Sequence, residues 1–160
     1  MKSNFAQFIE KFPVIELPLT LRDDSSHDFK DNPPLSDTLI DAYISRYETA
    51  EIDEFTEYMA CFQLPKKPHF QAIVYWKAAL LTYDFILATY NKEGNMLDKK
   101  VISGVKVVEN DVKLSIAVIN IDFSINIAEG LETRGGDFNA DATKARRFQI
   151  LENGLIEQEY

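Results

Sequence analysis

The most ligand-like spacing in the chain belongs to Asp137, Asn139, Asp141 and Thr143, where alternate positions carry side-chain oxygens. Oxygens so arranged converge on a hard cation such as calcium when the backbone turns around it. A calcium loop of this pattern also needs a glycine at the sharp turn and a bidentate glutamate to close the cage, and Ala142 and Phe148 occupy those places. The segment therefore reads as a polar loop with marginal cation affinity, and no cofactor is expected. Lys144, Arg146 and Arg147, near Arg134, form a small basic cluster that could pair with acidic residues elsewhere or with a phosphate. Gly135-Gly136 is not followed by Gly-Lys-Ser/Thr, so it does not read as a nucleotide loop. His69, Asp84 and Asp122 are candidates for acid/base work only if folding brings a histidine to a carboxylate. Trp76 and Tyr83 could line a pocket on a concave sheet face, although aromatics at strand spacing are more often core.

Acidic residues form the other candidate site. Residues 1–64 hold 13 acids against 5 bases, whereas residues 65–160 hold 13 against 12, so nearly all of the net charge of −9 falls in the first part. Asp23, Asp24, Asp28 and Asp31 crowd one segment, and Glu51, Asp53, Glu54 and Glu57 crowd another. Such a surface repels nucleic acid and anionic membranes and steers a cationic partner, or else serves only solubility. The expectation is a non-enzymatic binding or interaction protein with a protein partner, a basic one where the acidic part makes the contact. Its sharper form is an immunity-type or adaptor protein whose acidic part masks that partner. The alternative is a small ligand-binding domain or enzyme with a pocket near Trp76 and Tyr83.

At 160 residues the chain fits one domain, with an acidic helical and extended part over 1–64 and a β-meander over 65–160. Phe5, Phe8, Ile9 and Phe12 recur at helical spacing up to Pro13, predicting a helix over 3–12 and not a secretion signal. A second helix over 36–47 follows from Leu39, Ile40, Tyr43, Ile44 and Tyr47 behind Ser36. Residues 22–34, with His27, read as a surface loop, and 49–64 as a segment entering a sheet. Cys61, the single cysteine, is expected to be a buried thiol. With no apolar run of membrane-spanning length, a cytoplasmic setting follows.

From Phe70 to Ala128 the apolar residues alternate with period two, interrupted by short polar turns. Strands are expected over 70–80, 83–90, 96–102, 105–108 and 112–118, and Asn153-Gly154 is a strong hairpin signal. The inward set changes phase near 118–120, so Ile119, Ile121, Phe123, Ile125 and Ile127 require a bulge or turn there. Together these elements give an α+β fold, two N-terminal helices packed on an antiparallel meander sheet of about seven or eight strands.

Leu81-Thr82-Tyr83-Asp84, the run Ala88 to Asp98 and the closing Phe148 to Gly154 resemble hairpins of small, uncharacterised bacterial β-meander proteins. In that group a strand ending in Thr-Tyr leads through an Asp-x-x-Gly turn into the next; here Asn91 stands at the turn's aspartate. The resemblance covers 70–128 and 147–157. It implies the meander fold and carries no catalytic residue.

Overall fold

A computed structural model of the chain describes residues 3–49, 52–133 and 138–160. Two short helices, α1 (Asn4–Glu10) and α2 (Asp37–Tyr43), precede most of an antiparallel sheet. The sheet is built from nine strands: β1 (Leu19–Leu21), β2 (Glu57–Gln63), β3 (Gln71–Ala79), β4 (Thr82–Tyr90), β5 (Met96–Val108), β6 (Asp111–Ile119), β7 (Ser124–Thr133), β8 (Phe138–Ile150) and β9 (Ile156–Glu159). Strands β2 to β9 follow one another in space as in sequence, while β1 pairs with β6. Among the described residues, no helix is long and apolar enough to cross a membrane.

Local chemistry sets the element ends. Ser3 Oγ accepts from the Ala6 backbone N–H at 3.1 Å and Ser36 Oγ from that of Leu39 at 3.3 Å, so each helix begins on a side-chain cap. Both helices are shorter than their apolar spacing suggested, because α2 tightens after Tyr43 into a 3₁₀ turn over Ser45–Tyr47. Gln63 of β2 donates from Nε2 to the carbonyls of Ile9 (3.2 Å) and Phe12 (2.7 Å), which ties the end of the first helical segment to the sheet. Between β4 and β5, Asn91 Oδ1 accepts from the backbone N–H groups of Glu93 and Asn95 and shapes the turn.

Three sequence expectations change. The stretch 96–108 is one strand of 13 residues rather than two, because a bulge opposite Phe85 and Ile86 absorbs the break in apolar pattern at Ser103-Gly104. The phase change after Ile119 is a turn over residues 120–123, where Phe123 has a φ of 66°. Ile121 lies in that turn and is exposed rather than inward. The expected polar loop around 139–143 falls within β8, which pairs with β7 at Phe138 and Asn139 and again from Lys144.

Buried side chains form two clusters. One joins Phe8, Ile9, Phe12, Leu39 and Ile44 to Ala60, Ile73, Tyr75, Ile86, Ala88 and Tyr90. The other joins Leu21, Phe62, Val74, Phe85, Leu87 and Ile102 to Ile119, Ile125, Phe148 and Ile150 from the far strands. Neighbouring residues of one strand, such as Phe85 and Ile86, thus feed different clusters, as period-two geometry requires. Burying each large side chain contributes about 1.5–3 kcal/mol.

The sheet forks at its middle. Strand β5 pairs with β6 only from Gly104 to Val108, and beyond that point β1 takes β5's place, with Leu21 opposite Ala117 and Leu19 opposite Ile119. At the fork the Ser103 hydroxyl lies 2.7 Å from the Ser115 carbonyl and 3.2 Å from that of Leu21.

Candidate functional site

A polar cleft of about 500 Å³ lies across β3 to β8 beside the fork. Its floor is a row of residues paired strand to strand: Lys77 opposite Asp84, Asp84 opposite Gly104, Gly104 opposite Ser115, and Ser115 opposite Glu129. Directly paired residues point to the same face, so these side chains meet although they come from five separate strands. A second row, two residues along, sets Thr82 opposite Lys106 and Lys106 opposite Lys113. Gly104 keeps the floor low, because its φ of 150° disfavours side chains and an added Cβ would sit 2.1 Å from the Tyr83 carbonyl oxygen.

Lys77, Lys99, Lys100, Lys106, Lys113 and Arg146 line the cleft against Glu48, Asp84 and Glu129, a surplus of cations on a chain that is acidic as a whole. Most of these charges are committed. Glu48, with its side chain 6% exposed, holds Lys77 Nζ at 2.8 Å and Lys99 Nζ at 3.7 Å. Lys99 Nζ also donates to the Tyr47 carbonyl at 3.1 Å. Glu129 pairs with Arg146 and, at 3.4 Å, with Lys113. Burial acts to raise the Glu129 carboxyl, but the Arg146 and Lys113 contacts outweigh it and hold the group below its ordinary value. Lys106 has no acidic partner within ion-pair distance among the described residues.

Asp84 behaves differently. Burial pushes its carboxyl above the ordinary aspartate value, an effect that Lys77 and Lys106 reduce but do not cancel, and among the described residues no hydrogen bond acts on it. Behind the cleft, the hydroxyls of Tyr58 and Tyr75 and Glu48 Oε1 are buried without a hydrogen-bond partner among the described residues. Burial and the Glu48 charge both raise the two phenols, which therefore stay neutral.

The residues singled out by sequence lie around this cleft rather than in it, apart from Asp84 and Arg146. Trp76 and Tyr83 come together, their rings stacked at 5.7 Å and 7° between planes. They sit on the opposite side of β3 and β4 from Lys77 and Asp84, and neither lines the cleft. Asp23, Asp24, Asp28 and Asp31 are exposed on and around the 3₁₀ turn Ser25–Asp28, and Asp53, Glu54 and Glu57 are exposed before and at the start of β2. Glu51 lies outside the described residues. Asp137 does too, while Asn139, Asp141 and Thr143 belong to β8; among the described residues, no group of three or more histidine, cysteine, aspartate or glutamate side chains could hold a metal ion.

His69 and Asp122 border one hollow, yet Asp122 Oδ1 is engaged by Ser124, which donates to it from its N–H at 3.0 Å and its hydroxyl at 2.5 Å. That carboxylate shapes the turn, and its pKa is lowered chiefly by the Ser124 hydroxyl. Arg147 pairs with Glu159 at 2.8 Å, and Lys144 is opposite Glu129 in the ladder. Cys61 is buried among apolar side chains, and burial pushes its thiol up, away from reactivity.

Sequence reasoning missed the rows themselves. The signal was present in Lys77, Lys106, Lys113, Ser115 and Glu129, polar residues each flanked by apolar or glycine neighbours in the sequence. Only strand pairing shows that they share a face. In comparisons with known proteins, no family model, no curated protein and no solved structure matches this chain.

Proposed function

We propose that this chain is a non-enzymatic binding protein and that the cleft across β3 to β8 takes a small anionic ligand. The observation that carries this reading is the direct pairing of Lys106 with Lys113 across β5 and β6. Like charges placed opposite one another on a sheet are destabilising. An anion between them reverses the sign. The volume of about 500 Å³ is in the range of small-ligand sites. The acidic character of the rest of the chain keeps nucleic acid phosphates away, and a lone buried thiol suits a reducing cytoplasm.

Thermal unfolding at fixed ionic strength tests this proposal. Millimolar inorganic phosphate, exchanged for chloride, is expected to raise the melting temperature of the full chain, and Lys106→Gln/Lys113→Gln is expected to abolish the rise. An equal melting temperature in both salts overturns the reading.

A second reading keeps a basic protein partner on the acidic surface, and is supported by the exposure of Asp23, Asp24, Asp28 and Asp31. Replacing all four with Asn should slow association with such a partner and flatten its salt dependence. A partner whose association rate is unchanged by the substitution and by 0.5 M salt would rule this surface out.

A further inference from the structure

Resting on the anion-binding reading of the cleft, we propose that its ligand is a short polyhydroxylated phosphate ester, with the phosphoryl group on Lys106 and Lys113 and a hydroxyl donating to Asp84. The argument begins with charge. Glu48 occupies Lys77 and Lys99, Glu129 occupies Arg146 and shares Lys113, and Lys100 Nζ lies over the Phe148 ring, so the uncompensated charge of the cleft concentrates on the Lys106–Lys113 pair. A carboxylate brings one negative charge to two facing ammonium groups. A phosphate monoester brings close to two, together with three acceptor oxygens for their donors.

The second half of the ligand follows from Asp84. Its carboxylate is half-buried in the cleft, beside the bare backbone of Gly104, and among the described residues no hydrogen bond acts on it. An acceptor left in that state calls for a donor that carries no net charge of its own, since Lys77 and Lys106 already face it. A hydroxyl is such a donor.

Spacing then limits the carrier. Asp84 belongs to the row that includes Gly104 and Ser115, and the two lysines belong to the row of Thr82, two residues along the strand. Two residues of strand span roughly 7 Å. Inorganic phosphate cannot bridge that distance, whereas an ester of a three- to five-carbon polyol can. Ser115 and Thr82 line the gap and offer hydroxyls to the carbon chain's remaining oxygens.

Calorimetric titration of the full chain with ribose 5-phosphate, inorganic phosphate and ribose, at fixed ionic strength, separates the parts. Ribose 5-phosphate is expected to bind at least about tenfold tighter than phosphate, the equivalent of 1.4 kcal/mol for one charged hydrogen bond. Ribose alone should give no heat of binding. Asp84→Ala should bring the ester down to the affinity that the same variant has for phosphate, while Lys106→Gln/Lys113→Gln should lose both; circular dichroism confirms that each variant is folded. Phosphate binding with no gain for the ester overturns this inference and leaves the anion-binding reading standing. Absence of binding by all three overturns both. A gain for the ester that survives Asp84→Ala overturns the assignment of the hydroxyl to Asp84.

Discussion

Strands β3 and β4 present two contrasting halves on a single face. At one end Ile73, Tyr75, Ile86, Ala88 and Tyr90 are buried with Phe8, Ile9, Phe12, Leu39 and Ile44 from the helical segments. At the other, the same alternation continues through Lys77, Asp84 and Thr82 into the cleft. The alternation and the register of β3 with β4 do not change between the halves. What changes is the cover: apolar residues stop where the helices stop, and a seam of charge begins at Glu48, directly after the 3₁₀ turn that ends the helical region. The lesson is that one strand face carries an apolar half beside Phe8, Phe12 and Ile44 and a charged half beside Glu48 without any change in alternation.

Four substitutions break or sharpen this contrast. The largest effect is expected in the covered half. Phe8 is fully buried and stacks on Tyr43 at 4.9 Å, so Phe8→Ala should cost about 3–5 kcal/mol, read as a lower midpoint in urea unfolding. A loss below about 1 kcal/mol would show that the helices cover the sheet only loosely.

The seam should come next. Glu48→Gln leaves Lys77 and Lys99 without their counter-charge, and is expected to destabilise by about 1–3 kcal/mol. Salt should partly restore the loss, which a purely steric defect would not do.

In the open half the sign reverses. Folding raises the Asp84 pKa, so the ionised carboxylate is held at a cost that sets in as pH rises through the ordinary aspartate range. Asp84→Asn should therefore stabilise the protein at pH 7, by less than about 1 kcal/mol, and the gain should vanish below about pH 4, where the unfolded chain is also protonated. Denaturation at the two pH values measures it, and a destabilised variant at pH 7 would show that the lysines dominate. The smallest change is expected from Lys106→Gln, which removes one member of the facing lysine pair and should stabilise by about 0.2–1 kcal/mol in low salt.

Much of the sheet was legible in the sequence. The alternation of Phe70 to Leu80 and the apolar run of Tyr83 to Tyr90, broken only by Asp84, both mark strands, and Asn153-Gly154 does mark the turn between β8 and β9. Polar strand residues were the blind spot. Ser103-Gly104 looked like the end of a strand because nothing local reveals that Gly104 is the low point of a cleft floor, and Asn139 to Thr143 looked like a loop because their polar side chains carry no strand periodicity, although the segment runs within β8. The site was less legible for the same reason. Lys77 and Glu129 lie more than fifty positions apart in sequence and become members of one row only through three intervening strands.

The pairing of β1 with β6 also sets a timetable. Leu19–Leu21 leaves the ribosome roughly 100 residues ahead of its partner Ala117–Ile119. At 5–20 residues per second, that is a wait of about 5–20 s. Throughout that interval the first segment must stay in solution with its sheet partner still unmade. The concentration of acidic residues before position 64 suits a nascent chain in that position, because mutual repulsion discourages it from associating with its neighbours on the same message.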